Sequence, residues 1–250
     1  MAGNIQLISQ LAGQTAREVT RGAGSWKRYL DTASRLYKYP FDDQLLIYAQ
    51  RPDATACASM EAWNENMRRW VKTGTKGIAL IRKSEGGRPY LTYVFDVADT
   101  RPVRGARMPQ LWKMKQEYHA PVLAALEMQY GKTGAGDFGE RLMAVGADAV
   151  AAAYREPFRD MDYDVQGDLP ESAGGRSLEA CFRDTVTASV QYTLLSRCGL
   201  EPADYLKEDA LCGITAFYTP DALHHLGDTV STLPHGFNLV TSWDEVADGR

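Results

Sequence analysis

The chain lacks most of the features that announce a catalytic centre. It has four histidines in 250 residues, and none forms the pair four residues apart around a glutamate that zinc proteases carry on one helix turn. His224 and His225 are adjacent, so on a helix they would point about 100° apart. His119 and His235 stand far from them. No Gly-x-Ser-x-Gly nucleophile elbow occurs, and no glycine-rich dinucleotide fingerprint follows a strand. Tyr130-Gly131-Lys132-Thr133 resembles the end of a phosphate-binding loop, but that loop needs a glycine where Leu126 stands and a helix where Gly134 and Gly136 follow. Asp160, Asp162 and Asp164 alternate at calcium-loop spacing, yet Val165 occupies the position of the required glycine. These residues are therefore expected to form a solvated acidic loop. No catalytic residue, metal ligand or cofactor is expected, and the chain is expected to be a non-enzyme.

Close cysteine pairs are also missing. Cys57, Cys181, Cys198 and Cys212 are 124, 17 and 14 positions apart, which suits reduced, buried thiols better than structural zinc. No uninterrupted apolar run approaches the roughly 18 residues of a membrane-spanning helix. The opening MAGNIQLISQLAGQ has neither the basic start nor the apolar stretch of a secretion signal. The expectation is a cytoplasmic protein with no membrane partner.

What is present is an ordinary globular composition, 44% hydrophobic and 24% charged, with its charge sharply divided. Residues 17–115 carry 19 Lys/Arg against 10 Asp/Glu, a charge of +9, whereas residues 116–250 carry 9 against 22, a charge of −13. A basic half of this kind points to a polyanion such as nucleic acid. Helical spacing predicts a first helix to about Val19 and a second capped by Ser25, with Trp26, Tyr29, Leu30, Ala33, Leu36 and Tyr37 on its buried side. A third helix is expected over Phe41–Gln50, stopped by Pro52. Further helices are expected over Tyr118–Tyr130, Phe138–Tyr154 and Leu178–Arg197, the last between Ser177 and Gly199, with a short one from Pro220 to Gly227. Asp160–Arg176 reads as a loop and Asp99–Pro109 as an exposed linker bearing Arg101, Arg104 and Arg107. The fold class is α+β, mainly helical, with a small antiparallel sheet in the N-terminal half and an all-helical C-terminal half. The expected domains are 1–100, a basic linker 101–115, and an acidic helical domain 116–250.

The segment Glu61–Ile81 carries the functional argument. Trp63, Met67 and Trp70 have the spacing of one helical stripe, ended by a left-handed Gly74, before Ile78–Ile81 begins a hairpin with Tyr90–Val97. On that spacing the tryptophans mainly anchor the helix, while Arg68, Arg69, Lys72 and Lys76 meet phosphates. Arg82, Lys83 and Lys27 extend the basic set. Trp63, Trp70 and Tyr90 are candidate stacking surfaces for unpaired bases. Alternation along the strand makes the Leu91–Tyr93–Phe95 face the more apolar, so Tyr90 is the preferred exposed platform.

The run Tyr39–Tyr48, with Trp63, Trp70, Gly74 and Lys76-Gly77-Ile78, resembles the N-terminal single-stranded-DNA-binding domain of ArdC-type antirestriction proteins. Phe41–Gln50, Arg51-Pro52, Trp63-Asn64, Lys76–Leu80 and Phe95–Val97 look like the opening of very large conjugative-element proteins of Firmicutes. Those proteins join such a domain to helicase and adenine DNA methyltransferase domains. The resemblance implies a single-stranded DNA ligand, an ArdC-like domain over 1–100, and helicase or methyltransferase domains and host defence proteins as further partners. The chain departs from the family in lacking the zinc-binding helix, so no protease carries over, and in placing Asp42-Asp43-Gln44 where the early helix has asparagine. The expected function is a non-catalytic single-stranded-DNA-binding module of a mobile genetic element. The alternative is an anti-defence inhibitor whose acidic helical half occupies a host nuclease.

Overall fold

Helical periodicity dominates the sequence, and the structure is correspondingly α+β, 61% helical with small antiparallel sheets. The computed structural model describes residues 2–106, 114–134, 136–165, 169, 171–173 and 175–236. The chain opens with helices Ala2–Val19 (α1), Ala23–Arg35 (α2) and Phe41–Gln50 (α3). Gly22, not Ser25, precedes the first turn of α2, and the Ser25 hydroxyl accepts a bond from Arg28 instead. Helix α3 has the expected limits, because Pro40 fits before a first turn and Pro52 cannot continue one.

A mixed segment follows: strand Cys57–Ser59 (β1), helix Met60–Glu65 (α4), and strands Arg69–Val71 (β2), Ile78–Lys83 (β3), Pro89–Asp96 (β4) and Thr100–Pro102 (β5). The order β1-β4-β3 makes one antiparallel sheet, and β2 and β5 pair separately as a ribbon. β3 and β4 form the expected hairpin, with Gly87 at φ +73° supplying the left-handed turn residue. Their register places Ile78, Leu80 and Val94 on one face, which buries against Leu36, Leu46 and Ile47. The faces do not divide as expected: Val94 and Phe95, on opposite faces, are both 7% exposed, and Tyr90 is exposed at the uncovered end of the Val94 face. Tyr93, on the opposite face, is equally exposed, at 48% against 46%. At the sheet edge the Gln50 amide accepts from the N–H of Ala79 and donates to its carbonyl, both at 2.9 Å.

The remainder comprises α5 (His119–Tyr130), α6 (Phe138–Ala153), α7 (Arg155–Val165), a small ladder of β6 (Ser172–Ala173) with β7 (Arg176–Ser177), α8 (Leu178–Arg197) and α9 (Pro220–Gly236). Local chemistry sets these limits. Asp137 and Glu140 form a reciprocal capping box at the start of α6, Ser177 accepts the Ala180 N–H, and Gly199 at φ +70° ends α8. The loop expected over Asp160–Arg176 is helix α7 as far as Val165, so its three acids do not line a loop. Helix α9 continues through Gly227, where a Cβ would lie 2.2 Å from the Phe41 ring, so the glycine is there for close packing. Cys181 and Cys198 are buried as expected, whereas Cys212 is exposed and Cys57 half-buried.

The larger core cluster crosses the expected boundary at 101–115. Val19 of α1, Trp26 and Leu30 of α2, and Phe41 of α3 share it with Val190 and Leu194 of α8 and Leu226 of α9. Burying aromatic and aliphatic side chains of this size stabilises by roughly 2–3 kcal/mol each. Polar groups inside are paired: the Trp26 indole donates to Ser189 Oγ at 2.8 Å, and the Tyr192 hydroxyl to Asp31 at 2.7 Å. The first three helices thus pack with the C-terminal helices, and a smaller cluster joins β3 and β4 to α1, α3 and Leu36. Arg107 and Pro109 of the expected linker lie outside the described residues.

Candidate nucleic-acid interface

The helix expected through Trp63, Met67 and Trp70 stops at Glu65. Ser59 caps α4 through the Ala62 N–H, and Arg68 then takes a left-handed φ of +49°. That conformation is uncommon for a residue with a side chain, and it redirects the chain into β2. β2 pairs with β5, with Arg69 opposite Pro102, Trp70 opposite Arg101 and Val71 opposite Thr100. The Val103 N–H donates to the Arg68 carbonyl and the Lys72 N–H to that of Asp99, which extends the ladder at both ends. Residues 99–102, expected to be linker, therefore form a turn and a strand. Gly74 is left-handed, φ +83°, but it turns the chain between two strands and ends no helix.

Strand alternation splits the basic and aromatic residues into two classes. Trp63 on α4 is buried, at 2% exposure, and its indole donates to the Phe95 carbonyl at 2.8 Å. Arg69 is buried at 6% and donates to the Thr100 hydroxyl at 2.7 Å. Arg82 grips Asp43 through two hydrogen bonds of 2.6 and 2.7 Å. Those bonds raise its pKa above the ordinary arginine value. Trp63 and Arg69 are thus buried within the fold, and the half-exposed Arg82 commits its guanidinium to Asp43.

Trp70 belongs to the other class. It is 51% exposed, and the register sets it beside Arg101, also exposed, on the outward face of the ribbon. Exposed Lys72 follows directly after β2, reaching the Ala98 carbonyl with its ammonium at 2.7 Å. Arg68 lies exposed at the ribbon's other end, its guanidinium beside Gly105, and Arg104 is exposed in the turn after β5. The remaining candidates lie elsewhere. Lys76 is exposed in the turn before β3, Lys83 and Tyr90 are exposed on the hairpin, and half-buried Lys27 is on α2, which packs on α8 and α3.

Arg101 is the residue that the linker expectation hid. The signal for it is the pair of short segments Arg69-Trp-Val71 and Thr100-Arg-Pro102, each with a β-branched residue, too short to read as strands until they are seen paired. The Asp42-Asp43-Gln44 cluster also acquires a role. Asp42 meets His224 at 3.0 Å, Asp43 holds Arg82, and Gln44 accepts from the Tyr29 hydroxyl while donating to the Tyr39 carbonyl. It joins α3 to α9, the hairpin and α2. Asp96, in another landmark, is buried and accepts from the Thr55, Ala56 and Ala98 N–H groups. Arg51 pairs with Asp99.

Among the described residues there is no cluster of histidine, cysteine or acid that could hold a metal, and no helix long and apolar enough to cross a membrane. Fold and surface together define a mainly helical α+β protein that displays an aromatic and basic β-ribbon. No family model, curated protein or solved structure matches the chain.

Proposed function

We propose that this chain is a non-catalytic module that binds single-stranded DNA. The observation that carries the reading is the outward face of the β2–β5 ribbon, where exposed Trp70 stands opposite Arg101 with Lys72 and Arg68 at its ends. An exposed indole offers a flat surface to any unpaired base, and adjacent cations neutralise the phosphates on either side. Bases inside a duplex are already stacked, so such a surface favours a single strand. The resemblance to ArdC-type front ends supports DNA as the ligand and a mobile genetic element as the setting. In such a setting, helicase or methyltransferase domains and host defence proteins are the natural protein partners. The acidic half disfavours indiscriminate duplex binding by presenting like charge to phosphate.

Fluorescence polarisation with labelled oligonucleotides tests this on the intact chain. The expected result is preference for single strand over duplex, with affinity falling as salt rises. Absence of binding at low salt, or an undiminished signal from Trp70→Ala, overturns the proposal.

A further inference from the structure

The acidic half contains one cavity whose charge runs against its surroundings. It measures about 880 Å³ and lies between α6, α8 and the 205–213 segment. Residues 116–250 hold 9 Lys/Arg against 22 Asp/Glu, yet three cations, Arg176, Arg183 and Lys207, line this cavity beside only two acids, Asp184 and Asp209. Asp184 is already engaged by Arg176 at 2.8 Å and by Arg183 at 3.1 Å. Two guanidiniums around one carboxylate leave a net positive charge and several N–H donors beyond those bonds. Exposed Lys207 adds a third cation.

The rest of the lining is of a different kind. Ala147 and Ala151 of α6 and Ala188 of α8, with Leu206, supply small apolar surface. Besides the carboxylates, Gln191 and Thr187 can accept hydrogen bonds. The Gln191 amide nitrogen is committed to the Met143 carbonyl at 2.8 Å, which leaves its oxygen available, and the Thr187 hydroxyl donates to the Arg183 carbonyl at 2.8 Å, which leaves its lone pairs. The walls are set by contacts only glycine allows: a Cβ at Gly139 would lie 2.2 Å from the Tyr205 ring, and one at Gly213 would lie 2.3 Å from the Thr185 hydroxyl. These contacts fix Tyr205 and Thr185 where they line the cavity.

We infer that this cavity is a binding site for a mononucleotide, with the base on the alanine shelf and the phosphate against Arg176, Arg183 and Lys207. The apolar shelf alone would suit any flat ring, and the cations alone any small anion. Their placement in one cavity with acceptors for a base's amino group selects a ligand that has all three parts.

Calorimetric titration of the intact chain with AMP, adenosine and inorganic phosphate tests the inference. AMP is expected to bind saturably and more tightly than either fragment. Lys207→Ala, at an exposed position that leaves the fold intact, is expected to weaken it about tenfold, the worth of one charge-assisted hydrogen bond. Ala151→Trp, also exposed, is expected to abolish binding by covering the alanine shelf. Trp70→Ala is expected to leave AMP binding unchanged, which separates this site from the ribbon. No saturable AMP binding, AMP no tighter than phosphate, or binding that survives both cavity variants overturns the inference.

Discussion

In the β3–β4 hairpin Arg82 is tied to Asp43 of α3 by two hydrogen bonds, whereas in the β2–β5 ribbon Arg101 stands exposed beside Trp70. The two elements lie within 34 positions of one another, 69–102, and draw on the same kinds of residue. They differ in what covers them. The hairpin lies with Ile78, Leu80 and Val94 against the helices, so polar groups at that boundary must find internal partners. The ribbon has an outward face, and on its inward side Arg69 and Thr100 are buried together. Positive charge in a sequence therefore measures nucleic-acid affinity only after the cations that hold the fold have been subtracted.

Substitutions on the two sides should separate stability from binding. The largest effect is expected from Trp63→Ala, which removes a buried indole and its bond to Phe95 and should cost about 4 kcal/mol by urea denaturation. Arg82→Ala should follow at about 3 kcal/mol, because it strands the buried Asp43 carboxylate, and Asp43→Asn should restore part of the loss in that background. Neither position touches the proposed ligand, so folded fractions of both variants should bind oligonucleotide normally. Trp70→Ala should reverse this pattern, weakening single-strand affinity about tenfold while leaving the unfolding midpoint unchanged. Arg101→Ala should reduce the slope of log affinity against log salt by about 1. If Trp70→Ala unfolds the protein or Arg82→Ala alone abolishes binding, the division between hairpin and ribbon is wrong.

The smallest expected effect is a pH dependence at the α3–α9 junction. The Asp42 hydrogen bond raises the pKa of His224, so its protonated form favours the folded state. That contribution is complete below the unfolded value of about 6.5 and is lost as pH rises through the higher folded value. Both side chains are at least half exposed, which limits the effect to less than about 0.5 kcal/mol. His224→Gln should flatten the small decline in unfolding midpoint between about pH 6 and about pH 8.

Much of the helical framework was legible because its signals are local. Pro40 and Pro52 bracket α3, and Ser177 and Gly199 bracket α8, and each acts within a turn of its own position. The hairpin was legible for the same reason. What failed depended on distant pairing. The spacing of Trp63, Met67 and Trp70 fits a helix, but pairing of residues 69–71 with 100–102 outweighs that preference and converts a supposed keel residue into the exposed aromatic of the site. The acidic stretch 160–165 reads as loop from composition, yet Met161 and Val165 of α7 are buried in the core, which makes it helix. Gly227 reads as a helix stop because its real reason, the ring of Phe41, is 186 positions away in sequence. The candidate site is half legible: Trp70, Arg68 and Lys72 lie exposed along the ribbon, while Trp63 and Arg69 are buried and Arg82 is paired with Asp43.

The two bonds from the Gln50 amide to Ala79 have a consequence for how copies of the chain behave toward one another. An open strand edge is a template on which a second molecule can lay its own strand, and proteins crowded along a common polymer meet edge to edge far more often than in free solution. Gln50 occupies the donor and acceptor of β3 at one end of that edge, and the exposed charge of Lys83 stands at the other. At Ala79 the β3 edge therefore offers no free backbone donor or acceptor on which a second copy could lay a strand.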